Sequence, residues 1–78
     1  MSVGDNIKAI RLVNQVLLKT LAALTGLTTQ ALINLEKGRH QPRIETLQRI
    51  AKALDTHIAL FFAEKLYLTS QKPEKEQD

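Results

Sequence analysis

Hydrophobic residues along this chain recur at helical spacing, and nowhere do they sustain the two-residue alternation of a half-buried strand. The apolar pattern divides the chain into five segments, which are separated by glycine, proline or short polar runs. A period near 3.6 residues places such side chains on one face of a helix. The sequence therefore predicts an all-α fold of five short helices.

The first two helices are expected before residue 26. Asp5 or Asn6 is the expected N-cap of the first helix, and its apolar face carries Ile7, Ile10 and Val13. The second helix is expected from about residue 17 to 25 and ends at Gly26, because glycine readily adopts the left-handed conformation that ends many helices. Its inward-facing residues are Leu18, Leu21 and Ala22.

The third segment, residues 27–38, has the clearest boundaries. Thr28 is a favourable N-cap and Gly38 ends the helix. Leu32 and Leu35 then face the core. The opposite side carries residues three or four positions apart, in two adjacent rows: Thr29, Gln30, Ile33, Asn34 and Lys37.

A loop containing Pro42 precedes the fourth helix, whose apolar residues are Ile44, Leu47, Ile50, Ala51 and Leu54. A fifth helix is expected from about residue 58 to 68, and it is apolar on more than one side. One stripe, formed by Ile58, Phe62 and Leu66, is expected to face the core. Residues 70–78 are polar and lack an apolar period, so we expect a single domain over 1–69 and a disordered tail.

The composition narrows the possible environments and partners. The 78 residues contain no cysteine, and no apolar run approaches the ~20 residues that span a bilayer. With no secretion signal at the N-terminus, a cytoplasmic protein without a membrane partner is expected. The formal net charge of +3 suits an anionic partner such as nucleic acid.

Neither an enzyme nor a metal or cofactor site is expected. The only serines are Ser2 and Ser70, and neither histidine has an acid placed to suggest a triad. His40 and His57 lie in different elements and do not form a metal-ligand pattern. His57 is instead expected to cap or pack the fifth helix.

The second and third helices, joined through Gly26 and Leu27, have the arrangement of a helix-turn-helix unit. Residues 7–62 resemble the helix-turn-helix domain of the Cro/C1-type (XRE-like) family, which includes lambdoid phage repressors, restriction-modification controller proteins and many antitoxins. The resemblance rests on Ile7-Lys8-x-x-Arg11, Leu21-Ala22, Gly26-x-Thr28, Leu35-Glu36-x-Gly38, Pro42 and the run Leu47 to Leu54.

This resemblance implies a lambda-repressor-like fold of five helices, in which the third helix enters the major groove of double-stranded DNA. It implies that Arg11 and Glu36 form a partly buried ion pair. It also implies dimerisation around the fifth helix. We therefore expect a repressor or autoregulator that binds a palindromic operator as a homodimer, with an interface of Leu60, Phe61, Ala63 and Tyr67. In the alternative, the fifth helix folds back and Phe61, Phe62 and Tyr67 are core.

The residues expected to contact DNA fall into two groups. Those predicted to touch base edges are Thr29, Gln30, Ile33 and Asn34, because amide side chains can pair with adenine and apolar groups can touch thymine methyls. Burial beneath the second helix or at a partner interface is an equal alternative for Ile33. Those predicted to contact phosphate are Lys37, Arg39, Arg43, Lys8 and Lys19. The alternative for both groups is an ordinary solvated surface.

Four positions depart from the family pattern. Gln15 replaces the usual glycine of a turn, Leu17 replaces a Ser or Thr cap, and Leu18 replaces a glutamine that commonly meets DNA. Arg43 replaces a small polar cap of the fourth helix. Together with Ile33, the leucines favour an alternative function, a protein-binding module such as the antitoxin of a toxin pair. A domain that only oligomerises is a third possibility.

Overall fold

The computed structural model describes residues 2–64, and these contain helices but no strand. The elements in order are α1 Val3–Val13, α2 Leu18–Thr25, α3 Thr29–Glu36, α4 Ile44–Ala53 and a 3₁₀ helix Ile58–Phe62. The all-α class is confirmed. The expected count of five α helices is wrong within this range, because the fifth element is a short 3₁₀ helix followed by extended backbone at Ala63. The predicted domain end at residue 69 and the tail 70–78 lie outside the described residues.

The helices pack in pairs around one apolar core. α1 packs against α3 and the 3₁₀ helix, while α2 packs against α3 and α4. The largest fully buried apolar side chains come from all five elements: Ile7, Leu21, Leu32, Ile50 and Phe61. Of the apolar residues that recur along α4, Ile44 does not join the core, because it is the first residue of the helix and is 57% exposed.

α1 begins earlier than the sequence analysis expected. Its N-cap is Ser2, whose hydroxyl oxygen accepts a hydrogen bond from the backbone N–H of Asp5, while the Asp5 carboxylate accepts one from the N–H of Ser2. This reciprocal capping box satisfies two donors that the first turn leaves unpaired. Asn6, the other predicted cap, is instead fully buried inside the helix.

Each α helix is followed by one residue in the left-handed conformation, and three of these ends share one motif: Gln15 after α1 (φ 59°), Gly38 after α3 (φ 76°) and Asp55 after α4 (φ 53°). At each of these three ends the next N–H returns to a carbonyl five residues back, as Val16 does to Arg11. This is the Schellman motif, which satisfies the last carbonyls of a helix. Gln15 therefore performs the turn for which the family usually has glycine.

The turn between α2 and α3 is also fixed locally. Gly26 is left-handed, and the Thr25 hydroxyl donates to the carbonyl oxygen of Leu21 at 2.7 Å. Thr28 then caps α3, since its hydroxyl oxygen accepts from the N–H of Ala31 at 3.0 Å. The predicted cap at Thr28 is confirmed. α3 consequently leaves the turn in a defined direction.

The N-terminus of α1 lies directly against the C-terminus of α3. A Cβ atom at Gly4 would meet the carbonyl oxygens of Leu35 and Glu36, the latter at only 2.8 Å. Only glycine allows this approach, because the Cβ atom of any other residue at position 4 would clash with these backbone carbonyl groups. The end of α3 is thereby held against α1.

Candidate nucleic-acid interface

A buried ion pair fixes the end of α3. Arg11 donates from Nε to Glu36 Oε2 at 2.7 Å and from Nη2 to Glu36 Oε1 at 3.1 Å. Its Nη1 also donates to the carbonyl oxygen of Val16 at 3.0 Å. The structure thus brings together the two residues that the family resemblance paired, and Arg11 additionally joins them to the turn after α1. A bidentate guanidinium–carboxylate contact of this kind fixes orientation as well as distance.

The side of α3 away from the core carries the residues that the sequence analysis assigned to base contacts. Thr29 and Gln30 are exposed, while Ile33 and Asn34 are half-buried. Leu32 and Leu35, on the opposite side, lie in the core. The four residues therefore share an accessible face, as their spacing indicated, although Ile33 and Asn34 have neighbours along its edges.

A chain of hydrogen bonds runs along this face. The Gln30 amide nitrogen Nε2 lies 3.3 Å from Asn34 Oδ1, and Arg39 Nη1 lies 3.3 Å from the same oxygen. The sequence predicts a phosphate contact for Arg39 but does not predict its contact with Asn34. This contact joins Arg39 to Asn34 and, through the Asn34 oxygen, to Gln30, so a residue expected to touch phosphate is linked to two residues expected to touch bases.

The backbone explains why Arg39 reaches Asn34. With Gly38 left-handed, the N–H of Arg39 donates to the carbonyl oxygen of Asn34 at 2.9 Å, and the N–H of Gly38 to that of Leu35 at 3.1 Å. A sequence signal for this contact was available. If Gly38 occupies the position after the helix cap, the Schellman motif necessarily returns Arg39 to Asn34.

A cleft of about 680 Å³ flanks this face on the side of α1. Charged side chains line most of it, and Ile33 and Leu18 form its apolar wall: the charged residues are Asp5, Lys8, Arg11, Glu36, Lys37 and Arg39. Three residues assigned to phosphate therefore share one cleft. Hydrogen bonds with the backbone of Ser2, and to a smaller extent with its side chain, hold the pKa of Asp5 below its usual value. This carboxylate is therefore ionised at neutral pH.

A second groove, of about 420 Å³, lies on the other side of Asn34, between α3 and the start of α4. Arg43, His40 and Gln41 line it together with Asn34. Lys19, the remaining residue assigned to phosphate, is exposed in the first turn of α2. Arg43 is the N-cap of α4, but its side chain makes no capping hydrogen bond.

The two leucines that depart from the family pattern have different environments. Leu17 is the N-cap of α2, makes no side-chain capping bond and is 65% exposed. Leu18 is half-buried against the core and forms the cleft wall beside Ile33. Packing therefore accounts for Leu18 but not for the exposure of Leu17.

The predicted dimer surface needs correction. Phe61 is fully buried in the core, so it offers no surface to a partner, whereas Phe62, which was expected to face inward, is 54% exposed. A 3₁₀ helix turns 120° per residue, which places Leu60 and Phe62 on either side of the buried Phe61. Leu60 is exposed and Ala63 half-buried; Tyr67 lies outside the described residues. His57 caps this element by accepting at Nδ1 from the N–H of Ala59.

Comparison with known proteins agrees with this geometry. The profile of the helix-turn-helix family matches residues 7–61, which span α1 to the buried Phe61. The chain belongs to this family, in its Cro/C1 type. In such domains the second helix of the motif lies in the major groove; in this chain that helix is α3.

Individual relatives of this helix-turn-helix domain are regulators. The chain is 30% identical over 74 residues to the immunity repressor protein of Bacillus phage phi105, and it spans about half of that relative's length (51%). The structure of the restriction-modification controller protein C.AhdI of Aeromonas hydrophila matches with a TM-score of 0.74 and 25% identity. The match covers 77% of this chain and 91% of the C.AhdI chain. The clp gene regulator ClgR of C. glutamicum matches with a TM-score of 0.75 and 27% identity, covering 77% and 78%.

These relatives bear on the alternatives. A repressor, a controller protein and a gene regulator support a DNA-binding transcriptional regulator and give no support to the antitoxin alternative. None of the helices described over residues 2–64 has the length and apolarity needed to cross a membrane.

Proposed function

We propose that this helix-turn-helix domain binds double-stranded DNA and regulates transcription, with α3 as the helix that reads the major groove. The observation that carries the proposal is the accessible face of α3, where Gln30 and Asn34 form a polar row flanked by the cations Lys37 and Arg39. Amide side chains recognise base edges, and adjacent cations neutralise the phosphates that border a groove.

The proposed roles follow from position. Thr29, Gln30 and Asn34 face base edges, and Ile33 contacts a thymine methyl from the apolar edge of the cleft. Lys8 and Lys37 meet one phosphate backbone along that cleft, and Arg43 meets the other from the second groove. Lys19 adds a contact from the start of α2. Leu18 cannot supply the polar contact usual at its position, so phosphate binding depends more heavily on these cations.

A homodimer on a palindromic operator is the finer proposal. Leu60 and Phe62 expose apolar surface at the end of the described chain, and burial against a second copy removes it from water. A two-fold dimer of this type can place two reading helices about 34 Å apart, one turn of DNA. Repression, including repression of its own promoter, is the proposed output because a phage immunity repressor is among the relatives.

The proposal is tested by selection from a pool of random duplexes, followed by titration of the recovered site at two salt concentrations. We expect a palindromic sequence, together with affinity that falls steeply with salt because several phosphates are neutralised. A scrambled duplex of the same length is the control for non-specific binding. Recovery of no preferred sequence would contradict sequence-specific regulation, and a single asymmetric half-site would contradict the dimer alone.

A further inference from the structure

We infer that Arg39 is a positioning residue for base recognition, in addition to any contact with phosphate. Resting on the proposed function, the inference is that Arg39 fixes the amide of Asn34 so that its nitrogen, and not its oxygen, faces DNA. Asn34 then reads an acceptor edge, guanine or thymine, while Gln30 keeps the pair of atoms that recognises adenine.

The direction of the hydrogen-bond chain follows from arginine chemistry. A guanidinium has donors and no acceptor, so the Asn34 atom 3.3 Å from Arg39 Nη1 must be the oxygen Oδ1. The amide group of Gln30 also lies 3.3 Å from this oxygen and must present its nitrogen to it. Arg39 thus sets the orientation of the Asn34 amide, and the Asn34 oxygen in turn sets the orientation of the Gln30 amide.

These hydrogen bonds leave Asn34 and Gln30 with different atoms free to contact DNA. Both lone pairs of Asn34 Oδ1 are engaged, by Gln30 and Arg39. Within residues 2–64 no hydrogen bond engages Asn34 Nδ2, so this donor is the group that Asn34 can offer. Gln30 retains its oxygen and one amide hydrogen.

Base edges distinguish these two patterns. In the major groove guanine presents the acceptors N7 and O6, thymine presents O4, and adenine presents N7 beside a donor amino group. An asparagine that pairs with adenine must accept from that amino group, which an engaged Oδ1 cannot do. Asn34 therefore favours guanine or thymine and disfavours cytosine, whose exposed group is a donor.

The backbone makes this arrangement a property of the fold. The Schellman motif at Gly38 ties the N–H of Arg39 to the carbonyl oxygen of Asn34 at 2.9 Å, so the two residues are adjacent irrespective of side-chain rotamer. The neighbouring cation Arg43 also lies beside Asn34, in the second groove, but it makes no hydrogen bond to the Asn34 amide within the described residues. Arg43 is therefore a control of equal charge.

The test is selection from random duplexes with wild type, Asn34→Ala, Arg39→Ala and Arg43→Ala, after thermal melting has shown that each exposed or half-buried substitution leaves the protein folded. The operator position that loses its preference in Asn34→Ala identifies the base read by Asn34. At that position we expect guanine or thymine in wild type. Arg39→Ala frees one lone pair of Oδ1, which can then accept from the adenine amino group, so we expect the preference to shift toward adenine by about tenfold or more.

Arg43→Ala should lower affinity for all duplexes and leave the preference at that position unchanged. Adenine in wild type, an unchanged preference in Arg39→Ala, or no position that depends on Asn34 would each overturn the inference while a recovered palindrome leaves the proposed function standing. If wild type selects no sequence at all, both fail together.

Discussion

The side-chain nitrogen Nδ2 of Asn6 donates to the carbonyl oxygen of Phe61 at 2.8 Å, joining the first helix to the last described element. The same nitrogen donates to the carbonyl oxygen of Ala63, also at 2.8 Å. Asn6 is fully buried, and its Oδ1 has no hydrogen-bond partner among residues 2–64. This side chain therefore fixes the backbone segment that carries the exposed residues Leu60 and Phe62.

Replacing Asn6 should destabilise the domain. Asn6→Ala removes the donor for one buried and one part-buried carbonyl, and a group left unpaired when buried costs about 1–3 kcal/mol. We expect a loss of at least about 2 kcal/mol in the free energy of unfolding, measured by urea denaturation. Gln48→Ala, on the exposed side of α4, is the matched control and should change stability by less than about 0.5 kcal/mol. Equal effects of the two substitutions would show that the bonds of Asn6 contribute little.

The pair Arg11–Glu36 allows a double-mutant test. Arg11→Met or Glu36→Leu alone leaves a buried charge without its partner, which costs about 3–5 kcal/mol. The double substitution leaves no unpaired charge, so its loss in unfolding free energy should be clearly smaller than the sum of the two single losses. Chemical denaturation of all four proteins measures this coupling. Single losses below about 0.5 kcal/mol would mean that the pair is not holding α1 against α3.

What the sequence could predict depended on whether the controlling interaction was local. The inward faces of α1 to α3 followed from apolar spacing, and the cap at Thr28 followed from its own residue type. The cap at Ser2 was not predicted, although its partner Asp5 lies only three residues away, because Asp5 is itself a favourable N-cap residue. The spacing of Ser2 and Asp5 is that of a capping box and was the available signal.

The end of the chain could not be predicted in the same way. Residues 58–62 are all apolar, so the pattern alone does not distinguish an inward face, and the expected stripe of Ile58, Phe62 and Leu66 depends on the geometry of a continuous α helix. The structure has a short 3₁₀ helix here in place of the expected α helix. Its end is bonded at Phe61 and Ala63 to Asn6, which lies more than 50 residues away in the sequence. Because that helix turns 120° per residue and not 100°, Phe61 is buried and Phe62 exposed, the reverse of what was expected for both.

Glycine at position 15 should stabilise the fold. Gln15 has φ 59°, and a left-handed conformation costs a residue with a Cβ about 1–2 kcal/mol. Glycine avoids this cost but loses about 0.5–1 kcal/mol more conformational entropy on folding. We therefore expect Gln15→Gly to raise the free energy of unfolding, by up to about 1.5 kcal/mol. The adjacent Asn14→Gly, at φ −85°, relieves no strain and should be destabilising; a gain in both would contradict this explanation.

Substitutions on α3 should separate base contacts from phosphate contacts. Gln30→Ala should weaken binding to the selected operator by about 1–3 kcal/mol and leave binding to random duplex unchanged, because only a base contact is lost. Lys37→Ala should weaken binding to both the operator and random duplex. It should also reduce the slope of log affinity against log salt concentration by about one, because one phosphate contact is lost. Fluorescence anisotropy at several salt concentrations measures both effects. Unchanged operator affinity in Gln30→Ala would remove this residue from the reading face.

The 3₁₀ helix is the expected site of self-association. Leu60 and Phe62 are 40% and 54% exposed, and they flank Phe61, which anchors the segment in the core. An aspartate at both positions places charge where a second copy would bury apolar surface, so Leu60→Asp with Phe62→Asp should yield a monomer. Neither side chain is fully buried, which leaves the core around Phe61 intact. Sedimentation equilibrium measures the mass of each protein.

Leu24→Asp is the control, because Leu24 is an exposed leucine (62%) on α2, a helix that does not pack against the 3₁₀ helix within the described residues. This variant should remain a dimer. A wild type that stays monomeric at ~100 μM, far above the ~10⁻⁸ M affinity typical of specific operator binding, would contradict the dimer. A dimer that survives the paired aspartates but not Leu24→Asp would instead locate the interface on α2. In the expected case the monomer should bind a half-site weakly and lose the advantage of the palindrome, because two reading helices are then no longer held one DNA turn apart.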